Sequence, residues 1–377
     1  MTLVVRRTGR FLVAFVIGVC LLGCGDASRS HGHMLTSREN AAAALLLDGR
    51  VLIAGGISSR SLAPALASAE LYDPKTGDFT TTGSMSVVRA NPVAVRLADG
   101  RVFVAGGDRY PDPDNPGHAS AEIYDPKTGT FGPTLPMSKI RVVGQAIPTA
   151  GGQVLVVDAG RLWAEVLDPV TGRFNPTRAM PISRFDGAAA PLQDGRALFA
   201  GGFDDNYDAS ATSVVYDPAS ADFSAVGSMV TARAWNSATQ LRDGRVLVAG
   251  GATSNFESLS STEVYDPVKA TFSAGGPMST GRSKHTATLL ADGRVLICGG
   301  YGPKIQSDAQ FLASAELYDP LKGTFVAAGS MKDARVGHTA TLLSDGRVLV
   351  AGGADKFGVL SSAEVFDPGT GIFRSPE

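Results

Sequence analysis

Cysteine is scarce in this sequence, with three residues in 377. Cys20 and Cys24 fall near the start, so Cys298 is the single thiol of the remaining chain. No intrachain disulfide can staple that part, and a chain of this size buries enough core to need none. Cys298 stands in Val-Leu-Ile-Cys-Gly-Gly, where sister segments carry Ala, which is the setting of a small buried filler rather than a nucleophile. Neither sign of charge dominates: 34 Lys and Arg face 36 Asp and Glu. Without a basic excess there is little to displace counterions from a polyanion, which argues against a nucleic-acid partner. Helical periodicity is also missing beyond the first residues. In its place are 45 Gly and 21 Pro, a composition that calls for many turns.

The one continuous apolar run is Phe11 to Leu22, preceded by Arg6, Arg7 and Arg10. It is short for a bilayer span and suits the apolar region of a signal peptide. It ends in Leu21-Leu22-Gly23-Cys24. That ending resembles the lipobox of bacterial lipoproteins, which implies cleavage before Cys24 and lipidation of its thiol. The expected organisation is a signal peptide over 1–23, a flexible tether over 24–37 and a folded domain over 38–377. The expected location is the bacterial cell envelope, at the outer membrane or cell surface, with the lipid as the only membrane contact.

The nonamer Asp-Gly-Arg-Val-Leu-Val-Ala-Gly-Gly occurs at 243–251 and again at 345–353. Looser copies begin at Asp48, Asp99, Asp194 and Asp292, and a degenerate one at Gly151. The seven copies are spaced by 43 to 53 residues, the signature of a repeat architecture. Each unit opens on an arginine: Arg38, Arg89, Arg141, Arg184, Arg233, Arg282 or Arg335. Asp-Gly then predicts a two-residue type I′ hairpin turn. A variable loop follows, then an Ala-Glu-Val-Tyr-Asp-Pro strand that proline ends, then a last short strand. Four short strands per unit, repeated seven times, predict an all-β, seven-bladed β-propeller.

The doublets Gly55-Gly56, Gly106-Gly107, Gly201-Gly202, Gly250-Gly251, Gly299-Gly300 and Gly352-Gly353 carry a closer resemblance. So do Tyr72, Tyr124, Tyr216, Tyr265 and Tyr318, and a phenylalanine in each last strand. Together these resemble the kelch repeat, whose propellers serve as binding modules and as enzymes alike. The chain stops short of the Gly-x-Met that ends other units, and Gly32-His33-Met34 supplies that piece. The termini are therefore expected to meet in blade seven, with residues 30–36 beside 373–377.

In a kelch blade the loops after the glycine doublet and the segments before each opening arginine emerge on one face. Variable loops on a rigid scaffold are where binding function usually sits. Candidates on that face are Trp235, which could stack on a sugar ring or plug the channel, and the arginines Arg141, Arg184, Arg233, Arg282 and Arg335. The arginines could ring a mouth for an anionic ligand, or each could staple its blade, the reading that their recurrence favours. Unit three lacks a long loop, which should leave a notch beside Arg161 and Trp163. His285 and His338 read as hydrogen-bonded structural residues. Acidic loops with Asp112 and Asp114, and with Asp204, Asp205 and Asp208, are weak calcium candidates without the spacing of a calcium loop.

The function expected from these residues is a non-catalytic binding or scaffold propeller, monomeric, without cofactor, for a protein or glycan at the cell surface or in the periplasm. The alternative is a carbohydrate-active enzyme, oxidase-like or epimerase-like, with its site at the channel mouth. The resemblance to galactose oxidase, whose central domain is such a propeller, would require tyrosine and histidine copper ligands and a tyrosine–cysteine link. Cys298 is the only thiol placed for one, and the pattern is not met.

Overall fold

The computed structural model describes residues 28–60, 65–107, 118–138, 144–158, 163–182, 184–304 and 310–376. The expected signal peptide over 1–23, with Cys20, and the expected lipidation site Cys24 lie outside them. Seven antiparallel sheets follow one another along the chain, one per sequence unit. Blade five shows the plan: Ser237–Gln240 lines the axis, followed outward by Val246–Ala249, Thr262–Asp266 and Thr271–Ala274. The inner strands adjoin one another around the axis, and blade seven closes onto blade one.

A single blade leaves both faces of its sheet bare, so each strand buries side chains in both directions only when it has two neighbours. Accordingly the second strand of each blade is buried at every position. Seven apolar clusters each lie between two successive blades, and a small eighth gathers Ile57, Ala65 and Ala90. In six blades an aromatic of the third strand stacks on the last-strand phenylalanine, as Tyr265 does on Phe272 at 4.9 Å. The glycine doublet is required by crowding. Gly250 has φ +59°, and an added Cβ there would run into the Arg282 carbonyl oxygen and lie 2.8 Å from His285 Cε1.

The repeated Asp-Gly-Arg hairpin differs from the expected two-residue turn. Gly49 N–H donates to the Leu46 carbonyl, Leu46 N–H donates to the Arg50 carbonyl, and only Gly49 has positive φ. This is a three-residue loop, a type I turn followed by a left-handed glycine. Aspartate is used here for its carboxylate: Asp48 accepts from the Arg50 backbone N–H and from its guanidinium. Several of these arginines also reach the next blade, Arg294 to the Pro368 carbonyl and Arg347 to the Pro74 carbonyl. The nonamer recurs because one segment serves as turn, buried strand and inter-blade contact.

The chain closes as expected at Met34 and differently before it. Met34 N–H donates to the Ser361 carbonyl, and its side chain is buried between blades seven and one. Gly32 lies beside the Pro376 carbonyl. Residues Arg29–His31, however, form a fifth strand on the outer edge of blade one, pairing with Asp78–Thr81. Asp78 accepts from Arg29 and His31, and these bonds hold its carboxyl down to about 2. The expected tether boundary at residue 37 is thus corrected: residues 29–36 belong to the fold, because an open blade edge and an unfilled blade seam both receive them.

Candidate functional site

The repeat arginines do not ring a ligand mouth. Arg38, Arg89, Arg184, Arg233, Arg282 and Arg335 are all buried, and Arg141 lies outside the described residues. Arg282 is typical. Its Nη1 donates to the Gly299 and Ser314 carbonyls, and its Nη2 donates to Glu316 Oε1 at 2.9 Å. Glu316 in turn accepts the backbone N–H groups of Ser279 and Thr280 from the preceding blade. Arg38, Arg89, Arg233, Arg282 and Arg335 each join their own doublet and third strand to the neighbouring blade in this way, the structural alternative to a ligand mouth.

His285 and His338 are buried as well. His285 Nε2 pairs with Ser237 Oγ, and His338 Nε2 pairs with Thr286 Oγ1, each across a blade boundary. Burial, with a nearby arginine, lowers both imidazoles from 6.5 to about 3. They are neutral in the folded protein and protonate once unfolded below pH 6.5. Their contribution is intact above pH 6.5 and is lost as the pH falls from there toward about 3. Replacing both with asparagine, the residue blade five has at position 236, is expected to flatten the fall of Tm with acidity over that window. An unchanged pH profile would show that these rings do not govern it. Cys298, also buried, has its thiol pushed up by desolvation, as a structural residue should.

What reaches the loop face is the residue two positions after each arginine. Asn40, Asn91, Asp186, Trp235, Lys284 and Gly337 all have positive φ, between 51° and 63°. The conformation is imposed by a relay around the mouth: Lys284 N–H donates to the Trp235 carbonyl, Trp235 N–H to Asp186, Asn91 N–H to Asn40 and Asn40 N–H to Gly337. Asparagine and glycine tolerate this geometry, whereas a bulky tryptophan is held there at a cost of about 1–3 kcal/mol.

Trp235 is fixed on every side. Its Nε1 donates to Asp186 Oδ2 at 2.8 Å, Lys284 Nζ sits 4.4 Å over the ring, and Phe203 and Phe256 pack at 5.1 and 5.6 Å. It is a half-buried anchor of the rim rather than an open stacking plate. Around it the loops of blades four and five form matching turns. Tyr207 N–H donates to Asp204, and Phe256 N–H donates to Thr253. Both aromatics also have positive φ, 64° and 58°. Phe185 packs edge-on against Tyr207 at 5.0 Å, and Tyr207 itself is 61% exposed. Five aromatic side chains thus meet over two blades. Sequence reasoning found Trp235 and missed Tyr207 and Phe256; their equal distance from the glycine doublet was the available signal.

The remaining candidates divide. Asp204 spends its Oδ1 on the N–H groups of Asn206 and Asp208, closing its own turn. Among the described residues no three His, Cys, Asp or Glu side chains are grouped to hold a metal. Asp112, Asp114 and Arg161 lie outside the described residues; Trp163 is 45% exposed.

Residues 282–332 match the family model described as the Kelch motif. Spermatocyte protein spe-26 of Caenorhabditis elegans is 28% identical over 116 residues, which cover 30% of this chain and 19% of that protein. Among solved structures, a fungal alcohol oxidase of the AA5 family, in complex with copper, superposes with a TM-score of 0.70 at 18% identity, over 90% of this chain and 76% of that one. YjhT superposes with a TM-score of 0.57 at 12% identity, over 89% of this chain and 96% of its own. At these identities the likeness concerns the fold alone. The chain is a seven-bladed β-propeller built of kelch-type repeats.

Proposed function

We propose that this propeller is a non-catalytic binding protein held at the bacterial cell envelope by lipid on Cys24, and that its protein or glycan partner seats on the loop face over blades four to six. The observation that carries the reading is the aromatic rim. Trp235, Tyr207 and Phe256 are held in a backbone conformation that bulky residues avoid, and Tyr207 faces solvent. The backbone position of Trp235 is common to the blades, but asparagine or glycine fills it at Asn40, Asn91 and Gly337, so a bulky aromatic there is not required by the repeat. Support for the anchor is the arginine-led apolar run ending in Leu21-Leu22-Gly23-Cys24.

Trp163→Phe leaves Trp235 as the sole tryptophan, a reporter inside the rim. Titrating that variant with envelope extracts, fractionated into protein and glycan, should change its emission. Adding Tyr207→Ala and Phe256→Ala is expected to weaken the response about tenfold or more. An unchanged affinity in the triple variant would place the partner elsewhere. For the anchor, fatty-acid labelling should be lost in Cys24→Ser; labelling retained there would remove the lipid from the proposal.

A further inference from the structure

The seam between blades three and four departs from the repeat in several linked places. In six blades a glutamate of the third strand receives the N–H of the residue after the seam methionine: Glu70 from Leu35, Glu122 from Ser86, Glu165 from Ser138, Glu263 from Val230, Glu316 from Ser279 and Glu364 from Lys332. At the seventh seam that residue is Pro181, which has no N–H to give. Val214 stands where the glutamate would, and its cross-strand partner is Phe199, where the other blades have Val or Ile. Gly187 replaces the Asn236, His285 and His338 of the following blades.

These exchanges leave Arg184 without an acid. Arg38, Arg89, Arg233, Arg282 and Arg335 each contact a buried glutamate at 2.8–3.2 Å. Arg184 donates only to the Gly201 and Thr212 carbonyls and to Thr212 Oγ1. It is 6% exposed. Burial lowers it to about 10, so the guanidinium remains charged at neutral pH. Beside it is a cavity of about 30 Å³, lined also by Gln145, Met180, Phe199 and Gly187. Two carboxylates border the same space. Asp186 is held by the Trp235 indole N–H, and Asp158 is engaged by a partner of its own. The cavity shares Gln145, Gly187 and Ala188 with the axial channel, which gives it an entry.

We infer that this cavity is a binding site for one small monovalent anion, a halide or a formate-sized carboxylate, held by the Arg184 guanidinium in place of the glutamate that the other blades supply. An anion seated there would take the place of the glutamate carboxylate that lies 2.8–3.2 Å from the other five arginines, a contact Arg184 lacks although Asp158 and Asp186 border the same space. The volume leaves room beside the guanidinium for an ion about the size of one water.

The test is thermal unfolding of the mature chain in chloride, bromide, formate and sulfate at matched ionic strength. At 100 times its Kd, a bound halide or formate should raise Tm by about 4 °C over sulfate for a chain of this length. Chloride and formate arms tell the two sources apart. The double variant Phe199→Val, Val214→Glu restores the pattern of the other blades and should abolish that difference while remaining folded. Crystals grown in bromide should show its anomalous scattering beside Arg184. Equal Tm in halide, formate and sulfate, or a halide effect that persists in the double variant, would overturn the site.

Discussion

Arg282→Met is expected to destabilise the propeller by about 3–5 kcal/mol, among the largest effects any single substitution here should have. The side chain is fully buried, and its loss strands the Glu316 carboxylate along with the Gly299 and Ser314 carbonyls. Glu316 would keep only its two backbone donors from the preceding blade. A buried charge that loses its counterion costs far more than the pair was worth, because desolvation is no longer offset. Glu316→Gln should be milder, since a neutral amide in the same shape can still accept from the guanidinium. Arg184→Met supplies the comparison. No carboxylate is stranded there, so its cost should fall to about 1–3 kcal/mol, the unmade hydrogen bonds alone. Denaturant unfolding of the three variants decides the matter. Equal losses in Arg282→Met and Arg184→Met would show that the ion pair is not what the repeat arginine is for.

A chain shortened to begin at residue 38 should be similarly destabilised relative to one beginning at residue 24, although the residues removed are those the sequence suggests as tether. Met34 fills the seam between blades seven and one as Met85 fills the next, and Met34→Ala alone is expected to cost about 2–5 kcal/mol. The truncation also takes away Arg29–His31 from the edge of blade one, and the Leu35 and Thr36 N–H groups from Glu70. A propeller is a closed ring, so a fault at its closing seam exposes two blade faces at once. The truncated chain should unfold at a clearly lower temperature than the chain beginning at residue 24, and by more than Met34→Ala. A Tm equal to that of the longer chain would mean that the ring closes without this segment.

Much of this architecture could be read directly. The period near fifty, the glycine doublets and the aromatic pairs required seven four-stranded blades, because each residue type meets a demand that recurs at every seam. The stapling role of Arg233, Arg282 and Arg335 was legible for the same reason: a residue present in every unit answers a need of every unit. The turn chemistry was read less well. Asp-Gly looks like a two-residue hairpin, and the Arg50 side chain that turns Asp48 into a cap is visible only in three dimensions.

The functional rim depended on tertiary structure far more. Trp235, Tyr207 and Phe256 are separated by tens of residues, and Asp186 lies 49 positions before the indole it holds. Only the ring geometry brings two blades' loops together and puts the residue two positions after six of the repeat arginines into left-handed backbone. The same holds for Arg184. Pro181, Phe199, Gly187 and Val214 are unremarkable one by one in the sequence. Their joint consequence, a buried cation facing an empty space, exists only where two blades meet. The blade follows from local pattern and repetition along the chain, which specify it strand by strand. Tertiary packing decided where the repeat is broken, because a missing partner has no meaning until the neighbour that lacks it is in place.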